Sequence, residues 1–470
     1  MNNIWFVKNE QQINIDTGLV FNLNAKNSKS NIKTDVENLW RMFSEKSPSK
    51  IIEDLLLIGM SVFSVDKKIS RKKAEDGWSR NLNLHIPVLE FEKWEAVKHE
   101  LEETLSFLSG DKWIFNFYPT EERLRGDKVN KRYNIREKTD FDCVSLFSGG
   151  LDSFCGALSL MEDNRNPLFL GFKEYPLLLR KQTSLIESIQ EEYTNQKMDF
   201  IQFNVSPRRP LNVDSNVILG ESTSRSRSFL FIAGAVAVAS IIGKHTPVYI
   251  PENGFIGINV PLTQSRNGSC STRTTHPYFI GLVNQLLTNL GIEHKVENFY
   301  SQKSKGEIVS QHRENEVFRH MYKETLSCSH PCQSRYDGIS PPLNCGYCYP
   351  CLIRRASLVV NGFMDNHYNP KYSLNKEFIQ QNHKVDGKAS DFKAVLYTIR
   401  RYMDNEHNET YIRRLLRLQG HLSSQELDSY QSVYRKSINE LLAVIDYEDK
   451  ANNGELRKYM GLEQNHEEFC

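Results

Sequence analysis

The chain has 470 residues, of which 39% are hydrophobic and 25% are charged, and its formal net charge is +1. This length predicts about two or three domains, and the composition is typical of a soluble globular protein. A net charge so close to zero argues against a nucleic acid or an anionic membrane as a partner.

The first residues, MNNIWFVKNEQQ, lack the apolar core of a signal peptide. The most apolar stretch, from Phe229 to Ile242, is shorter than the ~20 residues that span a bilayer, so we expect a buried helix there. Nine cysteines without a secretory signal favour a reducing compartment, where clustered cysteines bind metal. We therefore expect a cytoplasmic protein without membrane contact.

Residues 1–138 are predicted to form an N-terminal α+β domain with no recognisable catalytic cluster. Apolar residues at helical spacing predict helices near Val36–Phe43, over Ile51–Phe63 and over Trp94–Leu108, the last ending at Gly110. Alternating apolar residues predict strands over Leu82–Val88 and Trp113–Phe117, and Pro87 favours an edge position for the first of them. The polar residues 121–140 are interpreted as a linker.

Residues 139–370 alternate between strand and helix patterns, which predicts a parallel sheet with helices on both faces. The predicted strands are Val144–Phe147, Leu168–Phe172, Phe200–Phe203, Val248–Ile250 and His294–Phe299. The predicted helices cover residues 153–162, 177–196, 225–243 and 277–290. Ligands of such sheets bind at the carboxyl ends of the strands.

One of these ends, in the stretch FDCVSLFSGGLDSFCGAL from Phe141 to Leu158, has the pattern of an anion site. A buried strand leads through a Gly-Gly turn into a helix start, where close backbone N–H groups and the helix dipole favour phosphate. No Gly-Lys-Ser/Thr follows, so this is not a Walker A loop. The predicted nucleotide-binding residues are Ser148, Gly149, Gly150, Leu151, Asp152 and Ser153.

The SGGLDS stretch resembles the SGGxDS signature of the PP-loop ATP pyrophosphatases. In that family the loop grips the β,γ-pyrophosphate of ATP while a substrate oxygen attacks the α-phosphate. The resemblance implies ATP as a substrate and Mg²⁺ to neutralise adjacent phosphate charges. It also implies a role in catalysis for Asp152.

Three later patches resemble the 7-cyano-7-deazaguanine synthases (QueC) within the PP-loop group. Arg227-Ser-Phe-Leu-Phe231 is similar to their R-N-x-x-F element, and Lys305-Gly-Glu307-Ile308 to their K-x-E-I element. Leu-Ser-Cys328 with CGYCYPCLIR from Cys345 is similar to their zinc motif. By this resemblance Arg227 and Lys305 stabilise charge at the α-phosphate.

The cysteine spacing by itself supports a closed, structural zinc site. Cys345, Cys348 and Cys351 supply three ligands, and the fourth is Cys328 or Cys332. The Leu-Ser-Cys context favours Cys328.

The stretch from Pro251 to Pro277 follows a predicted strand and is rich in donors for an anionic substrate. Its predicted substrate-binding residues are Asn253, Arg266, Arg273 and His276. QueC enzymes carry a Y-P-D-C-R-like segment where this chain has Thr275–Phe279. In that difference and in its additional flanking domains, the chain resembles the longer QueC-like proteins of anti-phage defence, the QatC group.

Residues 371–470 are predicted to form a small helical domain. One helix begins at Ser390 as N-cap, and a capping box at Ser423–Glu426 begins another.

The resemblance implies adenylation of the carboxylate of 7-carboxy-7-deazaguanine and capture of the acyl-adenylate by an amine. The acceptor is expected to be ammonia or an amino group of a protein partner from the same defence system. Two alternatives stay open at this point: a tRNA-thiolating PP-loop enzyme, and a non-enzymatic nucleotide sensor that scaffolds a defence complex.

Overall fold

A computed structural model describes residues 2–8, 18–23, 30–124, 134–213, 217–221, 224–262, 273–363, 366–382, 384 and 387–462. The strands are β1 (Asn2–Val7), β2 (Leu19–Asn22), β3 (Ile32–Thr34), β4 (Asn81–Val88), β5 (Lys112–Pro119), β6 (Cys143–Leu146), β7 (Pro167–Phe172), β8 (Asp199–Phe203), β9 (Val205–Pro207), β10 (Val248–Tyr249) and β11 (Val296–Glu297). The helices are α1 (Asn38–Arg41), α2 (Lys50–Lys68), α3 (Phe91–Ala96), α4 (Lys98–Ser109), α5 (Leu151–Glu162), α6 (Pro176–Glu192), α7 (Arg227–Ile242), α8 (Gly254–Ile258), α9 (Pro277–Asn289), α10 (Lys305–Gln311), α11 (Glu316–Met321), α12 (Tyr349–Val359), α13 (Lys376–Gln381), α14 (Ser390–Met403), α15 (Glu409–Arg417), α16 (Ser424–Lys450) and α17 (Glu455–Tyr459).

The central sheet is parallel, with strand order β11-β10-β6-β7-β8. Val144 and Leu168 pack with the apolar helix α7 on one face, whereas Cys143 and Phe169 pack with α5 and α6 on the other. This alternation follows from the two-residue period of a strand. The predicted parallel sheet with helices on both faces is confirmed, because all five predicted strands lie in it.

The N-terminal sheet differs from the prediction in topology. Its order is β2-β1-β4-β5 and every pair is parallel, so this part of the chain is α/β and the α+β prediction is wrong. The edge position expected for β4 is also wrong, since β4 lies between β1 and β5. Pro87 is tolerated because the register of β4 with β1 ends at His85, two residues before it.

The N-terminal sheet and the central sheet share one apolar cluster, in which α2 packs against α7. A buried ionic cluster lies beside it: the Asp66 and Asp111 carboxylates both accept hydrogen bonds from Arg71 and Arg80. Asp66 Oδ2 also accepts from the backbone N–H of Ser226, at 2.8 Å. Helix α2 therefore holds the cap residue that immediately precedes α7.

The C-terminal helices surround the long helix α16 and share an apolar cluster with α8 and α12. The capping box at Ser423–Glu426 is confirmed, with each side chain bonded to the backbone N–H of the other residue. Ser390 is the first residue of α14, whose cap is Ala389. Within the described ranges, no helix combines the length and the hydrophobicity needed to cross a bilayer.

Candidate functional site

The Gly-Gly loop (residues 147–150) connects β6 to α5 at the carboxyl edge of the central sheet. Gly149 has φ +81°, a conformation that favours glycine, and a Cβ added there would lie 3.0 Å from Gln182 Cγ. Ser148 Oγ accepts from the Gly150 N–H at 3.2 Å and lies 3.1 Å from Ser153 Oγ. The Ser148 hydroxyl thus connects the loop to its own backbone and to the first turn of α5.

Two other parts of the chain brace the Gly-Gly loop from outside. The buried Gln182 side chain donates to the carbonyls of Phe147 and Ser148 at 3.2 and 3.1 Å. From the other side, the Leu326 N–H donates to the Gly149 carbonyl at 2.9 Å, and Ser327 Oγ accepts from the Leu151 N–H at 3.2 Å.

The first N–H groups of a helix have no acceptor within the helix, which leaves them available to an anion. Ser327 takes the N–H of Leu151. For the N–H groups of Asp152 and Ser153, the described part of the chain supplies no hydrogen-bond acceptor. The loop therefore presents free donors at the start of a twelve-residue helix.

Asp152, in the first turn of α5, meets side chains from two other elements. Its Oδ2 lies 3.1 Å from Nζ of Lys305, at the start of α10, and accepts from Asn253 Nδ2 at 2.9 Å. Asn253 Nδ2 also donates to Glu252 Oε1 at 3.0 Å. The Oδ1 atom of Asp152 is buried and has no hydrogen-bond partner among the described residues.

The two carboxyl groups of this cluster differ in protonation. Desolvation acts to raise the pKa of Asp152, but the Lys305 ammonium and the hydrogen bonds from Glu252 and Asn253 outweigh it and lower that pKa. The pKa of Glu252 is well above its ordinary value because of burial and the nearby Asp152 carboxylate. These opposite shifts favour an ionised Asp152 and a protonated Glu252.

Two cavities adjoin Ser148 of the Gly-Gly loop, and both are lined by Leu146, Ser148, Arg227 and Phe231. The larger, of about 680 Å³, runs between the ends of β6 and β7 and the segment 326–336. The smaller, of about 270 Å³, is lined by Ser153, Glu252, residues 224–228 and residues 274–275. Arg227 stands between them and pairs with Glu174, with 2.8 Å between Nη1 and Oε2.

Three of the predicted substrate-binding residues, Asn253, Arg273 and His276, lie in the described part of the chain, and none of them lines either cavity. Asn253 caps α8, accepting from the Ile256 N–H at 3.0 Å, and is fully buried. Arg273 stacks on Phe107 of α4, and His276 caps α9 by accepting from the Tyr278 N–H. Burial lowers the pKa of His276 to about 3, so the ring is neutral. Arg266 lies outside the described residues, and its role stays a prediction.

Four cysteines from two segments converge beside the larger cavity. The sulfurs of Cys328, Cys345, Cys348 and Cys351 all lie within 4.8 Å of one another. Two of the Sγ–Sγ distances, Cys345–Cys351 and Cys348–Cys328, are 3.9 and 4.0 Å. Four sulfurs at the tetrahedral Zn–S distance of ~2.3 Å would be about 3.8 Å apart, so this set can hold zinc. The fourth member is Cys328, and Cys332 is not part of the cluster.

The local backbone explains why these four thiols meet. Gly346 has φ +86°, and a Cβ there would lie 2.6 Å from the Tyr368 ring. The N–H groups of Cys345 and Cys348 point at sulfurs, at 3.4 Å from Cys328 Sγ and 3.3 Å from Cys345 Sγ. Burial raises the pKa of Cys351, whereas neighbouring thiols lower that of Cys345. Metal binding requires deprotonated sulfurs, so a cation held by all four would have to balance the charge of four thiolates.

No protein-family model matches the chain, and no curated protein does. A family assignment therefore depends on the motifs and on the geometry around them. The structure brings together Ser148, Asp152, Arg227 and Lys305 at one edge of the sheet, although they are as far as 157 residues apart in sequence (305 − 148).

Several residues of the site were missed by the sequence analysis. Glu252 directly follows β10 on the carboxyl edge, which was a usable signal for it. Gln182 and Ser327 act through bonds to the backbone of a distant segment, and Arg225 precedes its helix by two residues. No local pattern marks these three.

The C-terminal region contacts the site through Glu440, a buried residue of α16. Its Oε1 accepts from Ser304 Oγ and its Oε2 accepts from the Gly306 N–H at 3.0 Å, on either side of Lys305. A Cβ on Gly306 would lie 2.4 Å from Glu440 Oε1, so the close approach requires glycine. Glu440 thereby helps to hold Lys305 in place.

We expect Glu440→Gln to reduce the pH dependence of stability. Burial raises the pKa of Glu440 from 4.5 to about 7, so its contribution is full below pH 4.5 and is lost as pH rises to 7. This loss amounts to about 3 kcal/mol. The amide can still accept from Gly306 and donate to Ser304. Urea unfolding at pH 5 and pH 8 should show a smaller difference in the variant, and an unchanged difference would contradict this assignment.

Proposed function

We propose that the chain is an AMP-forming, ATP-dependent C–N ligase of the PP-loop type, a QueC-like protein of the QatC group. The observation that carries this proposal is the Gly-Gly loop, which has free N–H donors at the start of α5 and whose Ser148 lines two cavities. The buried Asp152–Lys305 pair lies in the first turn of α5 and at the start of α10. Two cavities that share one phosphate-binding loop suit a reaction that joins ATP to a second molecule.

In the proposed reaction, ATP occupies the larger cavity and its β- and γ-phosphates lie at the Gly-Gly loop. A carboxylate oxygen of the acid, bound in the smaller cavity, attacks the α-phosphorus, and the bond to the β-phosphate oxygen breaks to release pyrophosphate. Arg227 borders both cavities and is placed to stabilise the charge that develops between them. Lys305 keeps Asp152 ionised.

The residues present also fit Mg²⁺, which is a hard cation that prefers oxygen ligands. Asp152 Oδ1 is a buried acceptor with no N–H donor among the described residues, and Glu252, which interacts with the Asp152 carboxylate, lines the smaller cavity. These two carboxyl groups would hold the ion, with Glu252 losing its proton. When bound, Mg²⁺ neutralises phosphate charge.

The acyl-adenylate is then captured by an amine. The nitrogen forms a bond to the acyl carbon, AMP leaves, and the amine gives up a proton to solvent. By resemblance the acid is 7-carboxy-7-deazaguanine, and the acceptor is ammonia or an amino group of a partner protein in anti-phage defence. The absence of the Y-P-D-C-R-like segment suggests that the product is an amide and not a nitrile.

The test is release of AMP and pyrophosphate from ATP and Mg²⁺, measured with and without 7-carboxy-7-deazaguanine. We expect AMP formation that depends on the acid. Hydroxylamine, a small nucleophilic amine, should give the hydroxamate of the same acid and so trap the acyl-adenylate. ATP binding with no AMP under any condition would contradict the proposal and favour a nucleotide sensor.

A further inference from the structure

The smaller cavity is lined by a buried arginine that the reaction described above does not use. Arg225, just before α7, is 5% exposed and lines this cavity. Its Cζ lies 3.4 Å from the centre of the Trp78 ring, and one nitrogen donates to the Ser109 carbonyl at 3.2 Å. The Trp78 ring and the Ser109 carbonyl therefore hold the group in one orientation.

Arg225 lacks an anionic partner in the structure. No carboxylate oxygen of the described residues lies within 4.0 Å of it, since Asp66 and Asp111 pair with Arg71 and Arg80. A guanidinium has five N–H donors, and only the bond to Ser109 is formed within the described part of the chain. Burial and the neighbouring arginines lower the pKa of Arg225 to about 10, which leaves it charged at neutral pH. The Asp111 and Asp66 carboxylates act in the opposite direction but form no ion pair with Arg225, so a ligand anion bound directly to it would stabilise its buried charge.

Two hydroxyl groups of the same cavity are also unpartnered. Ser228 Oγ and Thr275 Oγ1 are buried, in residues that are 6% and 2% exposed, and neither has a hydrogen-bond partner among the described residues. Part of the remaining wall is apolar, formed by Phe231, Ile250, Pro251 and Ile256, and the rest is polar, with Arg227 and Glu252 as its charged or titratable members. A planar heterocycle fits this combination, because its faces contact apolar side chains while its polar edge bonds the hydroxyls.

We propose that the 270 Å³ cavity binds a small heteroaromatic carboxylate. In this proposal Arg225 pairs with the carboxylate, and the hydroxyls of Ser228 and Thr275 form hydrogen bonds with the polar edge of the ring system. This inference rests on the proposed function and names the substrate site within it. It replaces Arg273 and His276, which pack against α4, as the donors for the substrate anion. Glu252 lines the same cavity, and burial and the Asp152 carboxylate raise its pKa, which favours its neutral form and reduces repulsion of a carboxylate while no cation is bound.

The anion that Arg225 binds is either a carboxylate of the substrate or a phosphate of ATP, and a binding experiment separates the two. Titration calorimetry would measure 7-carboxy-7-deazaguanine and α,β-methylene-ATP with Mg²⁺, each added alone. We expect Arg225→Gln to weaken binding of the acid about 10- to 100-fold and to leave the nucleotide unchanged. Arg225→Lys should restore part of the affinity, because it keeps the charge and loses the stacking.

Further variants guard against a folding defect. Ser228→Ala and Thr275→Val remove one hydroxyl each. Each should weaken binding of the acid by about 2- to 10-fold and leave the thermal unfolding temperature unchanged. Arg313→Gln removes the same charge from an exposed side chain and should change nothing. The affinity for the neutral 7-cyano-7-deazaguanine should differ far less between wild type and Arg225→Gln than the affinity for the acid does.

Each result is decisive. Weaker nucleotide binding with unchanged acid binding would assign Arg225 to a phosphate and overturn the inference. Unchanged binding of both ligands in all the cavity variants would also overturn it. Wild-type protein that fails to bind the acid would contradict the inference and the proposed substrate together, whereas normal AMP formation in Arg225→Gln at low acid concentration would contradict the inference alone.

Discussion

Asp152→Asn is expected to abolish acid-dependent AMP formation, with a loss of at least about 10²- to 10³-fold. The asparagine keeps the shape of the side chain but removes the negative charge that faces Lys305 at 3.1 Å and the buried oxygen that fits a divalent cation. Initial rates of AMP release at saturating ATP, with the acid present, are the measurement.

A double variant separates chemistry from folding. Asp152→Asn leaves the buried Lys305 ammonium without its partner, which should destabilise the protein by up to about 3 kcal/mol. Adding Lys305→Met removes that charge, so thermal stability should recover while AMP formation stays absent. Recovery of activity in the double variant, or near-normal activity in the single one, would show that the pair is only structural.

Cys348→Ser is expected to remove bound metal and to weaken ATP binding as well. A closed four-thiolate zinc site contributes about 10–16 kcal/mol on binding, and the loss of one ligand removes much of that. The second effect follows because Cys328 adjoins Leu326 and Ser327, which bond the Gly149 carbonyl and the Leu151 N–H. Metal content by mass spectrometry of the intact protein, together with nucleotide titration, measures both effects.

Cys332→Ser is the matched control for that variant. Cys332 is four residues from Cys328 and lines the same larger cavity, but it does not belong to the four-sulfur cluster. We expect full metal content and normal ATP affinity in this variant. Hydrogen exchange in residues 326–352 should rise in Cys348→Ser alone. Equal metal loss in both variants would mean that the fourth ligand has been misassigned.

The local patterns predicted the elements of the central sheet but not the topology of the N-terminal one. Val144–Phe147 and Leu168–Phe172 are short apolar runs followed by helices, and this order restricts them to parallel neighbours. The first two strands, β1 and β2, were missed because each is short and lies next to polar residues. Without them, β4 and β5 gave no indication that their sheet was parallel.

Among the site residues, those whose positions follow from their spacing along the chain could be predicted from the sequence. The Gly-Gly turn before α5 and the three cysteines from Cys345 are of this kind, because one turn or one knuckle brings their groups together. Tertiary structure decided the rest. Cys328 was chosen over Cys332 by the path of residues 326–345, and Glu252 was placed beside Asp152 by the pairing of β10 with β6.

The same distinction explains the substrate prediction. Arg273 and His276 share a donor-rich stretch with Asn253, yet they pack against α4, while Arg225, which forms no ion pair with the described residues, lines the smaller cavity. Sequence specifies which side chains carry charge and which backbone turns are accessible. Which of those charges is buried without a partner depends on how segments far apart in the chain pack together, and only the folded structure determines that.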